Sequence, residues 1–202
     1  TQYSNSTNVP RFDRLNNVLE DGSLEYSEWH YGPQERMFAA LKAEISSSNL
    51  LFSKASFIAS AQNINEERFK RKFGSNTRSS NSENVKVYGF NADLVRVMDS
   101  ISELFYGIEI TNNTVVSTAF TEDITTSEKG SESTRYPDGG SGMSTGAFYL
   151  SYAHTFKKLI TKIGGRYNYN NLQARFIDDS FFALPFGSIN TTSQAFSGNL
   201  GL

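Results

Sequence analysis

The sequence predicts an all-β protein, an antiparallel up-and-down transmembrane β-barrel of which this chain supplies about seven or eight strands. Two observations predict this fold. Apolar and polar residues alternate with period two along several segments, as in strands with one apolar and one polar face. The polar links between these segments are alternately short and long, which is typical of a barrel with tight turns at one end and long loops at the other. We expect residues 1–202 to form part of one barrel domain.

The clearest alternation lies in residues 146–170, which predict two long strands joined by a turn near residues 156–158. Phe148, Leu150 and Tyr152 share one face of the first strand. Apolar residues and tyrosines share one face of the second strand, and lysine, arginine and asparagine share the other. These strands are longer than the ~5–6 residues usual in globular sheets, which favours a membrane barrel wall.

Four further strands show the same alternation, and each apolar face is near the ~9–11 residues that a tilted strand needs to cross a bilayer. They are predicted at residues 37–45, 54–62, 88–98 and 104–111. Residues 35–44 are also rich in helix formers and follow Pro33, but we prefer a strand because the neighbouring segment is a strand and the link to it is short. The predicted short links are 46–49, 99–102 and 156–158, and the long ones are 63–84, 121–142 and 177–193.

Composition restricts the class of protein. The hydrophobic fraction of 38% is too high for a fully disordered chain, and no run of 18 apolar residues predicts a transmembrane helix. Cysteine is absent, which excludes a disulfide scaffold and thiolate metal sites. The net charge of −2 gives no general attraction to nucleic acid. Because residues 200–202 look like the middle of a strand, we expect a fragment of a longer polypeptide.

Two other architectures fit part of this pattern. A soluble β-sandwich also has one buried face per sheet, so alternation alone does not separate it from a barrel. The unequal loop lengths favour the barrel, since a sandwich has no reason to gather its long loops at one end. A passive porin shares the barrel and differs from a transport receptor in lacking a plug.

Five segments, in this order along the chain, resemble TonB-dependent outer-membrane receptors. They are 7–15 (TNVPRFDRL), 28–34 (EWHYGPQ), 71–73 (RKF), 133–141 (STRYPDGGS) and 164–167 (GGRY). The resemblance implies a barrel of 22 strands closed by an N-terminal plug. It also implies active import of a scarce nutrient such as a siderophore, haem or vitamin, with energy passed from TonB. The plug and the TonB box are not in this segment.

The partners follow from the same resemblance. We expect outer-membrane lipid and lipopolysaccharide around the barrel, the TonB complex acting through the missing plug, and a small-molecule or oligomeric substrate. A surface lipoprotein is a further candidate partner. We expect no nucleic acid, no resident cofactor or metal, and no enzymatic activity. Catalysis has little support, since Ser141 lacks nucleophile-elbow spacing and Asp178 and Asp179 are adjacent, which in a strand turns them to opposite faces.

Substrate capture is expected in the loops 7–35, 64–84, 121–142 and 177–193, whose polar composition predicts mobility until a ligand or partner binds. The candidate ligand-binding residues are Arg11, Arg14, Trp29, His30, Tyr31, Arg68, Arg71, Arg135 and Asp138. The basic run 68–72, with Phe69 and Phe73, could bind phosphate, nucleic acid or an anionic siderophore, could pair with lipopolysaccharide phosphates, or could be a solvated charged loop. Arg11 and Arg14 either line the vestibule or pair with Asp13.

We expect different roles for the two histidines. His30 lies between Trp29 and Tyr31, where it is either a ligand to haem iron or a chelated metal, or a locally hydrogen-bonded loop residue. We favour the second interpretation because no spaced partner accompanies it. His154 lies near a predicted periplasmic turn, and we expect a structural role on the polar face. The polar residues expected to face the barrel lumen are Lys42, Asp93, Glu109, Lys162 and Arg166.

Overall fold

A computed structural model describes all residues 1–202 and consists almost entirely of one antiparallel β-sheet. The strands are β1 (Gln2–Asn5), β2 (Val9–Pro10), β3 (Tyr26–Tyr31), β4 (Glu35–Ser46), β5 (Lys54–Lys72), β6 (Thr77–Val97), β7 (Ser102–Asp123), β8 (Lys129–Ser131), β9 (Ser141–Phe156), β10 (Leu159–Arg175) and β11 (Ser188–Gly201). A single short helix, α1, spans Phe12–Leu15. It is too short to cross a membrane, and the chain has no other helix.

The strand order confirms the predicted up-and-down topology. The sheet runs β1-β4-β5-β6-β7-β9-β10-β11, with β3 beside the outer part of β5, β2 beside β3, and β8 beside the outer part of β7. The two edges, β1 and β11, are not paired with each other, so the sheet is an open portion of a barrel wall. Because no second sheet packs against it, the β-sandwich interpretation is wrong. Residues 35–44 are strand, as preferred.

The register places the apolar residues of neighbouring strands in common rows. One row runs Ala92, Ile108, Phe148, Tyr167, Phe196 across five strands. The rings of Tyr167 and Phe196 lie 4.8 Å apart in this row. The period-two pattern therefore describes one continuous apolar face, as expected from the sequence.

This apolar face has no protein layer to cover it. Only ten of the 202 residues are buried, and of these only Ala55 and Ala92 are hydrophobic. Leu41 is 74% exposed and Phe196 is 84% exposed. A water-soluble sheet would leave an unfavourably large apolar surface in this arrangement, whereas a barrel wall turns that surface to lipid. The uncovered apolar face is therefore the face that a bilayer would cover.

The opposite face carries the polar network that was expected in the lumen. Arg166 donates from Nη2 to Oε2 of Glu109 at 2.7 Å, and the hydroxyl of Tyr149 donates to Asp93. The prediction for His154 is wrong in one respect. Its ring stacks on Tyr152, which lies on the apolar face, so His154 shares that face. Its Nδ1 lies 3.0 Å from Oγ of Ser102.

The two longest links between paired strands, 124–140 and 176–187, lie at the same end of the sheet as the 73–76 turn, and the links 47–53, 98–101 and 157–158 lie at the other end. Because outer-membrane barrels have short periplasmic turns and long extracellular loops, the end with the two longest links is the extracellular one. The link predicted at 63–84 is wrong, since β5 and β6 continue through it and only residues 73–76 form the turn. Polar residues here are even among the most buried, with Ser80 4% and Glu83 3% exposed.

Candidate ligand-binding site at the extracellular end

Four of the predicted ligand-binding residues form one cluster on the lumen-facing side. The guanidinium carbon of Arg11 lies 4.8 Å from the Trp29 ring centre, and that of Arg68 lies 4.8 Å from the Tyr31 ring centre. Each arginine also lies within 6 Å of the other ring, and the two rings meet edge to face at 5.5 Å. Arginine and aromatic planes attract one another in this geometry. The cluster therefore offers flat cationic and aromatic surfaces together.

The pairing of β3 with β5 builds this cluster. Trp29 lies opposite Lys70 and Tyr31 opposite Arg68, so alternation turns both aromatic rings to the same side as Arg68. Gly32 then lets the chain pass close to β5, where its amide donates to the carbonyl of Glu67 at 2.8 Å. A β-carbon on Gly32 would lie 2.7 Å from Cβ of Glu67, so a larger residue would force the strands apart.

The two arginines of the cluster differ in their partners. Arg11 donates to both oxygens of Asp13 at 2.7 and 2.5 Å and to the Tyr31 hydroxyl at 2.8 Å. The hydrogen bonds to Asp13 raise the pKa of the Arg11 guanidinium above its ordinary value. Arg68 forms no salt bridge, and its buried Nε has no hydrogen-bond partner. Arg68 is thus the cation of this cluster that is free to bind an anionic group.

His30 and Arg71 lie on the opposite side of the same strands. The carboxylate of Glu28 lies 3.7 Å from Nδ1 of His30, 3.6 Å from Nε of Arg71 and 3.8 Å from Nη1 of Arg78. Glu122 pairs with Arg78 at 2.6 Å. The positive charges here are already balanced by carboxylates. Arg14, in α1, is more exposed than Arg11, and its Nε lies 3.9 Å from Oδ2 of Asp13.

Arg135 and Asp138 lie in the loop between β8 and β9, which folds over the lumen side of the wall. Nη1 of Arg135 lies 3.7 Å from the carboxylate of Glu83, and the carbonyl of Ser133 accepts from the side chain of Asn81 at 3.4 Å. Asp138 accepts from the backbone amides of Ile177 and Asp178 at 2.9 and 2.8 Å. These bonds hold the pKa of the Asp138 carboxyl below its ordinary value.

A cavity of about 530 Å³ lies between this loop, the β10–β11 loop and β7. Its floor is the stretch of β7 between the parts paired with β9 and β8. The volume is in the range of small-molecule sites. The apolar residues that line it include Tyr136, Phe176, Phe181, Phe182 and Leu184.

Sequence reasoning placed Arg135 and Asp138 among the ligand-binding candidates but missed the apolar lining of this cavity. The signal was present in residues 181–186 (FFALPF), an apolar run inside a link that is otherwise polar. An apolar run in a loop outside the bilayer must be covered by protein or by a ligand. The structure thus brings the predicted residues together in two places and leaves His30, Arg71 and Arg14 apart from both.

Comparison with known proteins agrees with this architecture. A family model described as "Outer membrane protein beta-barrel family" matches residues 39–184, more than half of the chain. A solved structure, that of the copper transporter OprC, matches with a TM-score of 0.65 and 9% sequence identity. The match covers 84% of this chain but only 27% of that one.

No curated protein matches the sequence. The identity to OprC is so low that it supports the fold alone, whereas the family match rests on the sequence. Such barrels reside in the outer membrane of bacteria, and the uncovered apolar face of the sheet agrees with that location. The chain belongs to the outer membrane protein β-barrel family.

Proposed function

We propose that this chain is part of the barrel of a TonB-dependent receptor, which captures a scarce nutrient with its extracellular loops for TonB-powered import. The observation that carries the proposal is the inward folding of the β8–β9 loop, which forms one wall of a partly open cavity against the lumen side of the sheet. Loops that only connect strands need no apolar cavity at the mouth of a barrel, so the cavity favours a role in ligand binding.

The arginine–aromatic cluster supports the same proposal. It also faces the lumen side, and Arg68 has no carboxylate to neutralise it. A ligand entering the barrel mouth would therefore meet a free guanidinium beside two aromatic rings. OprC is a copper transporter by name, and the fold likeness carries no substrate to this chain.

The proposal is tested on the full-length natural protein in liposomes. A plugged receptor should keep small sugars from leaking across the liposome membrane, and it should bind the purified periplasmic domain of TonB. A passive porin would leak the sugars and ignore TonB. The second result would overturn the proposal while leaving the barrel fold intact. A matched strain without the gene then identifies the substrate by loss of growth on single nutrient sources.

A further inference from the structure

Two of the aromatic rings that line the cavity between the β8–β9 and β10–β11 loops are not covered by another ring. Phe182 is 66% exposed and Phe181 is 40% exposed, and neither stacks on another aromatic ring. Both lie beyond the end of β10, outside the band of strand residues that faces lipid. Two bare phenyl rings beside a partly open cavity are suited to receive an apolar group.

The charges around this cavity are mostly negative. Its lining contains three carboxylates, Glu132, Asp138 and Asp178, against one guanidinium, Arg135. Arg135 is already paired with the buried carboxylate of Glu83. Glu132 and Asp178 form no salt bridge. An entering cation would be attracted both by these carboxylates and by the faces of the aromatic rings.

The cavity is also held in shape before any ligand enters. Asp138 accepts two backbone amide hydrogen bonds from the β10–β11 loop, so the two walls are tied together at one end. Phe176 and Phe186 pack edge to face at 5.8 Å and close the base of that loop. A preformed cavity loses less conformational entropy when a ligand binds.

We propose that this cavity binds a small organic cation that joins an apolar ring to an amine. The apolar ring contacts Phe181 and Phe182, and the ammonium group lies near Asp178 and Glu132. This inference rests on the proposed function, since it names the class of ligand that the extracellular mouth captures. It assigns the cavity a charge preference opposite to that of Arg68 in the arginine–aromatic cluster.

The test compares two probes with the same ring and opposite charge, tryptamine and indole-3-propionate. Binding to the full-length protein carrying Arg68→Met is measured in lipid nanodiscs by titration calorimetry, with empty nanodiscs as the baseline. The substitution removes the free guanidinium of the arginine–aromatic cluster, which would otherwise bind the acid. We expect tryptamine to bind at least tenfold more tightly than the acid. Equal binding, tighter binding of the acid, or no binding of tryptamine at millimolar concentration would overturn the inference.

Matched variants locate the binding. Phe182→Ser should weaken tryptamine binding at least fivefold, whereas Phe73→Ser, which removes an exposed phenylalanine from the β5–β6 turn, should not change it. Asp178→Asn keeps the oxygen that accepts from the amide of Ser180 but removes the charge, and should reduce the preference for tryptamine. Equal effects of Phe182→Ser and Phe73→Ser would contradict the site. The liposome and TonB assays do not depend on these outcomes, so failure of the inference is distinct from failure of the proposed function.

Discussion

Glu83 on β6 and Arg135 in the β8–β9 loop form an ion pair that ties the loop to the barrel wall. Their charged atoms lie 3.7 Å apart, and the Glu83 side chain is 4% exposed while that of Arg135 is 38% exposed. Glu83 also accepts from the hydroxyl of Ser117 at 3.4 Å. A buried carboxylate needs a counter-charge, so the position of the loop depends on this pair.

Replacing Arg135 should therefore loosen the loop. Arg135→Ala leaves Glu83 buried without a counter-charge. We expect the free energy that holds the loop against the wall to fall by about 1–2 kcal/mol, which is less than for a fully buried pair because Arg135 is partly in water. Proteinase K should then cut the 131–138 segment faster. The double variant Glu83→Gln with Arg135→Ala should restore much of the resistance, and a double variant as sensitive as the single one would show that the ion pair does not hold the loop.

Asp138 makes the contact between the two loops dependent on pH. The amide hydrogen bonds from Ile177 and Asp178 lower the pKa of Asp138, so their stabilisation is complete above the ordinary aspartate pKa of about 3.9 and is lost as the pH falls through the lower folded value. We expect amide exchange at 177–178, corrected for its intrinsic rate, to stay slow to about pH 4 and to accelerate below it. In the Asp138→Asn variant, the amides of residues 177–178 should exchange faster than in the unchanged protein already at neutral pH.

Asp179→Asn is the matched control for this experiment, because Asp179 lies beside Asp178 and forms no ion pair or side-chain hydrogen bond. It should leave the exchange profile unchanged. If Asp138→Asn behaves like Asp179→Asn, the carboxylate does not join the loops.

Arg68 and Arg71 are three positions apart in the sequence and differ in their partners. Arg68 faces the lumen side without a carboxylate partner, whereas Arg71 lies near Glu28 on the other side. Arg68→Met should weaken binding of the anionic probe indole-3-propionate to the full-length protein at least fivefold, and Arg71→Met should weaken it less than twofold. The same loss of one positive charge in both variants controls for net charge. Equal reductions would show that the face of the strand is irrelevant to ligand capture.

A charge introduced on β9 should destabilise the protein much more on the apolar face than on the lumen face. Phe148→Arg places a guanidinium on the apolar face. Near the bilayer midplane this should lower the free energy of unfolding by ~2–4 kcal/mol. Ala147→Arg places the same group on the lumen side, opposite Glu109, and should cost much less. Urea unfolding of the full-length protein in lipid vesicles measures both. A larger loss for Ala147→Arg would reverse the assignment of the faces.

The sequence predicted the part of the fold that contacts lipid. Within the bilayer each strand must present apolar residues on alternate positions, so the pattern was visible in residues such as Phe148 and Leu150 and gave the correct register of faces. Beyond the bilayer this requirement ends, while backbone hydrogen bonding between strands continues. Residues 77–84 therefore form a strand without an apolar face, and their Ser and Asn content resembled a loop.

The candidate site was predictable only in part. Trp29, Tyr31 and Arg11 were recognised by residue type, but their contact with Arg68 depends on the pairing of β3 with β5, which sequence spacing does not reveal. The cavity likewise depends on contact between two loops about 40 residues apart in the chain, such as Asp138 with Ile177. Long-range contacts of this kind leave no periodic signal.

The most direct test of the whole account is the heat-modifiability of the full-length protein extracted in detergent from outer membranes. A closed barrel resists detergent until it is boiled, so the unheated sample should migrate faster on a gel than the boiled one. We expect that shift, together with recovery of the protein in the outer-membrane fraction. Recovery in a soluble fraction with the same migration before and after boiling would contradict it.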